Sequence, residues 1–391
     1  MHPLAAASMR RIKQSQLGVI WNRAAELERA DKDIIHFEIG RPDFDTPDPI
    51  KKAATRAMQR GDVHYTVPRG LPELRQAIAQ DLSLRLGLDL DPDHEVVVTI
   101  GAVEGIFVTL LTVLDAGGEV LVPEPLYPFY HGWAEFLGGK TVPLSTSEQA
   151  GYQISPESLS QCLTSRSKVI IVNSPRNPTG SGLDEKSLQA AAQAAREHNL
   201  LVISDEVYDR IVFQPYQHQS IAALPGMKER TVIINTFSKS FAMDGWRIGY
   251  LAGPADLVQE MDKAHLRTST CANTMAQYGA LEALRLGSEL VDPMVETYAR
   301  RRRLIIDIVA QAPGLSCLEP QGTFYLWLNY GDIGVGELEV AQILLERAGV
   351  AVTPGSEFGP SVKGHLRISF ATSRAQIEKG MQRLTKALAD I

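Results

Sequence analysis

A series of short apolar runs, each ended by polar or small residues, constrains the fold of this 391-residue chain more than any other feature. Residues 168–172, 200–203 and 231–235 are rich in valine, isoleucine or leucine and have the length of buried strands. Nearly continuous apolar runs are typical of parallel strands that helices cover on both faces. The sequence therefore favours an α/β fold built around a largely parallel sheet.

The spacing of apolar residues elsewhere predicts the other elements and a division into two domains. Helices are predicted at 17–31, 49–60, 71–86, 103–114, 291–312, 337–348 and the C-terminus. Further strands are predicted at 34–39, 95–99, 119–122, 323–328 and 366–370. We expect residues 48–290 to form a large α/β domain with a mostly parallel sheet flanked by helices. Residues 1–47 and 291–391 are expected to form a smaller α+β domain.

Charge, cysteine content and hydropathy exclude several classes of protein. The net charge of −7 suggests no nucleic-acid or anionic-membrane partner. Three cysteines, far apart and odd in number, supply neither a disulfide framework nor a metal-ligand spacing. No apolar run approaches the roughly 18 residues of a membrane span, and the N-terminal positive charges follow the apolar patch, unlike those of a signal peptide. We therefore expect a cytoplasmic protein without a metal.

One lysine, Lys239, follows the predicted strand 231–235 and lies among small hydroxyl and aromatic side chains. Arg247 lies on the same stretch, and a shielded amine beside another cation can have a lowered pKa. Such an amine can attack a carbonyl group as a nucleophile. A lone lysine after a strand is usually a surface residue, so its chemistry depends on the groups that accompany it.

Two motifs accompany Lys239. Residues 236–249 (TFSKSFAMDGWRIG) resemble the cofactor-lysine motif of class I/II aminotransferases, which are pyridoxal-phosphate (PLP) enzymes of fold type I. The string Asn177-Pro178-Thr179-Gly180 is among the most specific signatures of the same family. Other motifs follow in the family's order from about residue 12 to the end of the chain. The resemblance implies an aminotransferase of PLP fold type I, with PLP held as a Schiff base on Lys239.

PLP presents a phosphate, a ring nitrogen, a phenolic oxygen and a ring face, and a protein needs a group for each. For the phosphate, the turn after strand 95–99 opens a helix, where the N–H groups of Ala102 and Val103 form an anion site. Arg247 can add a charge-assisted contact. Thr236 and Ser238 offer hydroxyl groups nearby.

The ring of PLP is expected to meet residues that follow other predicted strands. Asp205, at the C-terminal end of a strand, can pair with the ring nitrogen and keep it protonated. Tyr208 and the Asn177 amide can reach the phenolic oxygen, and Tyr127 can stack on the ring face. The family resemblance also implies that Tyr65 crosses a dimer interface to the phosphate of the neighbouring subunit.

The resemblance further implies how the substrate is held. Arg367 matches the family's arginine for the substrate α-carboxylate, and its planar fork suits a bidentate grip. Gly40, through its N–H group, and Asn177 are expected to contribute to the same subsite. In the family the site lies between two subunits, so a homodimer acting on an amino acid and a 2-oxo acid is implied.

Three positions depart from the family pattern and bear on the substrate. Val103 stands where one branch of aspartate aminotransferases has a lysine for the distal carboxylate. Arg41 replaces a residue that is often acidic, and Arg176 stands where smaller residues are common. Both arginines follow turn residues and are expected to point to solvent. An apolar or aromatic amino donor is therefore predicted, with a dicarboxylic acid as second substrate at best.

Other activities remain open at this stage. A C–S β-lyase uses the same scaffold and the same grip on PLP, so the motifs do not separate it from an aminotransferase. A PLP-sensing regulator would need a DNA-binding segment of about 70 or more residues ahead of the motifs, and it is disfavoured because they begin close to residue 1. A nicotinamide enzyme is also disfavoured, since no G-x-G-x-x-G follows the first strand.

Overall fold

The computed structural model of the protein describes residues 4–391, so the first three residues of the predicted small domain lie outside the described part. The strands are β1 Ile35–His36, β2 Val96–Thr99, β3 Glu119–Glu124, β4 Lys140–Ser145, β5 Ser167–Asn173, β6 Leu201–Asp205, β7 Thr231–Thr236, β8 Gly249–Ala252, β9 Tyr325–Asn329, β10 Val350–Ala351, β11 Thr353–Pro354 and β12 His365–Ser369. The helices are α1 Gln16–Arg29, α2 Asp48–Arg60, α3 Pro72–Leu86, α4 Ala102–Val113, α5 Pro128–Phe136, α6 Pro156–Cys162, α7 Glu185–Glu197, α8 Phe237–Ser240, α9 Ala255–Thr268, α10 Thr274–Leu286, α11 Ser288–Ala310, α12 Glu337–Ile343 and α13 Arg374–Ala389.

Seven strands form the central sheet, in the order β2-β8-β7-β6-β5-β3-β4. Neighbours from β7 to β4 are parallel, whereas β8 is antiparallel to both β7 and β2. Because β2 and β7 each run opposite to β8, β2 points in the same direction as the parallel strands. The C-terminal ends of β2, β3, β5, β6 and β7 therefore share one edge of the sheet, and β8 begins at that edge. The predicted α/β class is confirmed.

The central strands are apolar at successive positions because both faces of the sheet are covered. In β7, Ile233 and Ile234 are both buried, but they pack in two different apolar clusters. Successive side chains of a strand point to opposite faces, so each of the two clusters lies on its own side of the sheet. Ile170 and Ile171 of β5 are likewise divided between two clusters.

A smaller set of elements comes from the two ends of the chain. Strands β11, β12 and β9 form an antiparallel sheet, and β1 pairs with β10 in parallel. Helix α11 runs across the predicted domain boundary at residue 290 without a break, so the boundaries at 48 and 290 stay a prediction. No helix within residues 4–391 is long and apolar enough to cross a bilayer.

The structure differs from the sequence prediction in several elements. The sequence does not predict strands β4 and β8: β4 is an edge strand that contains Pro143 and buries only two of its six residues, and β8 is only four residues long. The predicted strand 34–39 shortens to β1, since only two residues pair with β10. The predicted helix 337–348 divides into α12 and a turn of π-helix, Leu344–Ala348.

Candidate active site

The side chains expected to bind the cofactor follow the ends of central strands. Lys239 lies in α8, directly after β7, and Asp205 is the last residue of β6. Gly101 joins β2 to α4, and Arg247 precedes β8, which lies between β2 and β7 in the sheet. One edge of the sheet therefore brings these groups together from distant parts of the sequence.

The Lys239 amine points toward the N-terminal segment. Its Nζ donates a hydrogen bond to the Gly40 carbonyl oxygen across 2.6 Å and lies 6.0 Å from the centre of the Tyr208 ring. Residue 40 has to be small, because a Cβ there would collide with the Tyr325 hydroxyl. The glycine thus lets the N-terminal segment approach the site closely.

The Asp205 carboxylate is buried, with 3% of the residue exposed. Its Oδ2 accepts a hydrogen bond from the Tyr130 hydroxyl across 2.5 Å, and Oδ1 accepts one from the Val207 N–H across 3.3 Å. Burial raises the pKa of Asp205 to about 6, although the Tyr130 hydrogen bond opposes the rise. A buried carboxylate held this way fits a cationic N–H partner, as the protonated ring nitrogen of PLP would supply.

The turn 173–180 connects the Asp205 strand to Arg367. Asn173 Nδ2 donates to the Asp205 carbonyl oxygen across 3.0 Å, and Asn173 Oδ1 accepts from the Asn177 N–H across 3.0 Å. The Asn177 side-chain oxygen accepts in turn from Arg367 Nη1 across 3.1 Å. Asn177 therefore lies between the residues expected to bind the cofactor and the one expected to bind the substrate.

Arg367, on β12, is fixed on several sides. Its Nη2 donates to the Glu38 carbonyl oxygen across 2.7 Å and to Thr353 Oγ1 across 3.1 Å. The guanidinium lies 4.4 Å from the centre of the Tyr325 ring. Its Nε is buried and has no hydrogen-bond partner among the described residues. A guanidinium that is held rigidly and keeps an unused donor fits the grip on a carboxylate.

Tyr208 keeps its phenolic hydrogen at neutral pH. Its hydroxyl lies 2.8 Å from the Tyr325 hydroxyl, and both rings are buried. Burial, followed by the neighbouring Tyr325, raises the pKa of Tyr208 well above its ordinary value. Tyr208 is therefore a protonated phenol at neutral pH, as the predicted donor to the phenolic oxygen of PLP must be.

The predicted phosphate turn has the shape of an anion site. Gly101 has a φ of 84°, and α4 begins at the next residue without a side-chain cap within the described chain. The N–H groups of Ala102 and Val103 therefore have no partner inside the helix. A Cβ at Gly101 would collide with the Arg247 guanidinium, and one at Gly249 would come within 3.0 Å of the Ala102 nitrogen. These close approaches fit a phosphate group held by amides and a guanidinium.

Three predicted cofactor contacts are not assembled in the single chain. Thr236 Oγ1 accepts from the Ser238 N–H across 3.2 Å, and it lies 2.9 Å from both Ser238 Oγ and the Ile248 carbonyl oxygen. Both hydroxyls thus interact with each other at the start of α8. Tyr65 is 85% exposed. The phosphate contacts of Thr236, Ser238 and Tyr65 stay predictions.

Tyr127 and Tyr130 lie at the start of α5 beside the site. The Tyr127 ring is parallel to that of Phe129 at 5.1 Å and edge-on to that of Tyr130 at 5.4 Å. Both tyrosines line a small cavity together with Arg176 and Asn177. The ring of Tyr127 is therefore close to the expected cofactor residues, and its stacking on PLP stays a prediction.

The expectation that Arg176 points to solvent is wrong. Only 2% of the residue is exposed, Nη1 donates to Thr146 Oγ1 across 3.3 Å, and Nη2 has no hydrogen-bond partner among the described residues. The turn folds back on itself through two 2.8 Å backbone hydrogen bonds, from Arg176 to Ser181 and from Gly180 to Arg176, and the side chain is enclosed. Burial lowers the pKa of Arg176 to about 10. The Arg41 side chain is exposed, as expected.

Sequence reasoning missed Tyr130, Tyr325 and Asn173. Tyr130 is three residues after Tyr127 in the first turn of α5, a spacing that places both on one face of a helix and could have indicated it. Tyr325 and Arg367 lie on neighbouring strands, and no sequence signal indicates that pairing. Asn173 ends β5, as Asp205 ends β6, and the two are register partners.

Comparison with known proteins decides the family. A family model described as aminotransferase class I and II matches residues 32–384. The chain belongs to this family. It is 41% identical to an aspartate aminotransferase of Pyrococcus abyssi over 361 aligned residues. The alignment covers 92% of each chain. It is 38% identical to aromatic-amino-acid aminotransferase 2 of Thermococcus litoralis, over 93% of this chain and 94% of the relative.

Solved structures agree with this assignment. The aspartate aminotransferase from Thermus thermophilus with maleate superimposes with a TM-score of 0.93 at 35% identity, over 99% of this chain and 100% of that one. The predicted fold type I is confirmed, and the protein is a PLP-dependent transaminase. Asp205, Arg247 and the turn of Gly101 fit the ring nitrogen and phosphate of PLP, as described above. No cluster of metal-ligand side chains occurs within residues 4–391.

Proposed function

We propose that this transaminase moves an amino group between an L-amino acid and a 2-oxo acid with Lys239 as the covalent and proton-transferring residue. The observation that carries the proposal is the position of the Lys239 amine, 2.6 Å from the Gly40 carbonyl and beside the Tyr208 ring. PLP, when bound, accepts the electron pair that the substrate Cα releases. In the loaded enzyme Lys239 would hold PLP through its side-chain amine, and the same amine, once free, would accept the proton that leaves Cα.

The neighbouring side chains hold the reacting groups. Asp205 keeps the ring nitrogen protonated, and that cation in turn favours the ionised carboxylate. Tyr208 and the Asn177 amide would donate hydrogen bonds to the phenolic oxygen of PLP. Arg367 would bind the α-carboxylate of the substrate. Asn177 and the carbonyl of Glu38 hold its guanidinium in a fixed position for that contact.

Chemical trapping tests the role of Lys239. Borohydride reduction of the protein as purified is expected to abolish its visible absorbance and to leave a PLP adduct that peptide mapping assigns to Lys239. Lys239→Ala is expected to bind PLP without a covalent bond and to turn over negligibly. An adduct on another lysine, such as Lys263, contradicts the assignment. Release of ammonia and a keto acid without an amino acceptor indicates the β-lyase instead.

We infer that the preferred amino donor is an apolar or aromatic amino acid, with a dicarboxylic acid as second substrate at best. Val103 gives the first turn of α4 no charge with which to bind a distal carboxylate. Burying an unpaired carboxylate there is unfavourable. The curated relatives include both aspartate and aromatic-amino-acid aminotransferases.

We also propose a homodimer with shared sites, in the cytoplasm. Tyr65 is 85% exposed, and Val63 and Val67 on the same segment are 50% and 54% exposed, a row of apolar side chains that a second copy would cover. Mixing the inactive variants Lys239→Ala and Tyr65→Ala is expected to regain part of the activity if Tyr65 serves the neighbouring site. No recovery from mixed subunits, or a monomer in solution, contradicts the sharing. Cell fractionation tests the location.

A further inference from the structure

Glu104 and His265 form a buried pair behind the phosphate turn. His265 has no exposed surface and Glu104 is 8% exposed. His265 Nδ1 lies 2.9 Å from Glu104 Oε1, and Nε2 lies 3.0 Å from the Pro68 carbonyl oxygen. A carboxylate and a carbonyl both accept hydrogen bonds, so both ring nitrogens must donate. His265 is therefore an imidazolium ion.

Glu104 connects this pair to the phosphate turn. Its Oε2 accepts a hydrogen bond across 2.7 Å from the N–H of Ile100, the residue before Gly101. The Ser269 hydroxyl donates to Oε1, and Thr268 Oγ1 lies 3.0 Å from the same oxygen. The carboxylate therefore fixes the backbone that leads into α4.

His265 connects the pair to the segment 64–70, which contains neither helix nor strand. Besides the bond from His265 to its backbone, this segment is held to α9 through Arg69, whose Nε lies 3.1 Å from Asp262 Oδ2. Tyr65 lies on the same segment. A segment without its own backbone ladder depends on such side-chain contacts for its position.

We propose that His265, acting through Glu104, is a positioning residue that fastens the phosphate turn to the segment 64–70 and so aligns the Ala102 and Val103 N–H groups for the cofactor phosphate. The proposal rests on the proposed cofactor site, and neither His265 nor Glu104 touches the reacting groups. Loss of the link is expected to weaken PLP binding more than it slows the chemical step, because the turn binds the phosphate and not the substrate.

The charges around His265 give the link a pH range. Glu104 and Asp262 face His265, and Asp262 is itself paired with Arg69. Burial lowers the pKa of His265, but the hydrogen bond and charge of Glu104 raise it overall above 6.5. Burial raises the pKa of Glu104, but hydrogen bonds led by that of His265 lower it overall below 4.5. The link is therefore lost as pH rises through the raised pKa of His265, and it is lost in acid as Glu104 is protonated.

Hydrogen–deuterium exchange of the full-length cofactor-free protein measures the link without any catalytic readout. In Glu104→Gln, amides 100–103 are expected to exchange about tenfold faster and the Kd for PLP to rise about tenfold, because a charge-assisted contact to the turn is lost. Glu260→Gln is the matched control, since Glu260 forms an exposed pair with Lys263 on α9, the helix that carries His265. It is expected to leave both quantities unchanged. Unaltered exchange and affinity in folded Glu104→Gln overturn the proposal.

The pH dependence supplies a test that needs no foldable Glu104 variant. After correction for intrinsic exchange, amides 100–103 of the unaltered protein are expected to lose protection as pH rises through the pKa of His265. His265→Gln is expected to remove that step. Equal protection across this pH range also overturns the proposal. A borohydride adduct on a lysine other than Lys239 contradicts the proposed function and leaves the exchange result standing, so the two failures are distinguishable.

Discussion

Tyr130 donates its phenolic hydrogen to the Asp205 carboxylate across 2.5 Å, and both side chains are buried. The tyrosine lies in the first turn of α5 and the aspartate at the end of β6. The hydrogen bond therefore connects a helix to the end of a central strand. Burial raises the pKa of Asp205 to about 6, and this hydrogen bond is the largest influence in the opposite direction. Without the cofactor, Tyr130 therefore stabilises the ionised form that the ring nitrogen is proposed to stabilise in the loaded enzyme.

Tyr130→Phe keeps the ring and removes the donor. The pKa of Asp205 is expected to rise further, so a smaller fraction is ionised near pH 6 than near pH 8.5. The kcat/KM is expected to fall about tenfold or more at the lower pH, as for a lost hydrogen bond to a charged group, and to recover partly at the higher pH. The pH profile of kcat/KM checks this, with Tyr330→Phe as a control that removes a buried hydroxyl elsewhere. Identical profiles for Tyr130→Phe and the unaltered enzyme contradict it.

Asp205→Asn is expected to separate stability from activity. The pKa of Asp205 is raised from 3.8 to about 6 in the fold, so its ionisation makes the cofactor-free protein less stable as pH rises through that interval, by about 3 kcal/mol at most. Asparagine does not ionise, so the variant does not lose stability as pH rises. Without the cofactor, it is expected to be more stable than the unaltered protein at pH 8 but not at pH 4. Its rate is expected to fall about 10²-fold or more. Denaturant titrations at both pH values and steady-state rates test the two halves separately.

Arg176→Met removes a buried cation that has no carboxylate partner among its contacts. Replacing such a charge with an apolar side chain of similar volume is expected to leave the free energy of unfolding unchanged or to raise it by about 1–4 kcal/mol. Arg176→Lys keeps the charge and serves as the control. Denaturant unfolding of both variants measures the effect. A loss of several kcal/mol in the methionine variant means that the guanidinium has an anionic partner in solution.

Val103→Lys places a cation in the first turn of α4. The variant is expected to shift preference toward aspartate, because the distal carboxylate gains a partner there. The ratio of kcat/KM for aspartate to that for phenylalanine measures the shift, and Val103→Met controls for side-chain length. If the unaltered enzyme already prefers aspartate to alanine, leucine and phenylalanine, and Arg41→Ala removes that preference, the distal site is built from Arg41.

The sequence was sufficient to predict where the candidate site residues lie whenever they follow a strand. Lys239 and Asp205 each come directly after or at the end of an apolar run, and parallel strands bring such positions to one edge whatever their separation along the chain. The turn of Gly101 was predicted for the same reason. The positions of these residues follow from the parallel arrangement of the strands. Nearly continuous apolar runs in the sequence indicate that arrangement.

The features that the sequence did not predict depend on contacts between elements. Arg176 follows turn residues and is polar, so its burial is visible only once the turn 173–180 is folded against α5 and β3. The pairing of Tyr325 with Tyr208 requires the C-terminal strands to dock on the central sheet. Apolar periodicity carries no information on such packing between distant segments.

The contacts of Arg367 also determine when this protein can become active during its synthesis. Lys239, Asp205 and the phosphate turn all precede residue 250, whereas Arg367 lies on the last strand and reaches back to the carbonyl of Glu38. The residues expected to bind the cofactor are thus synthesised before the one expected to bind the amino acid. Arg367 can hold a carboxylate only after the C-terminal strand has been made and has docked against the segment of Glu38.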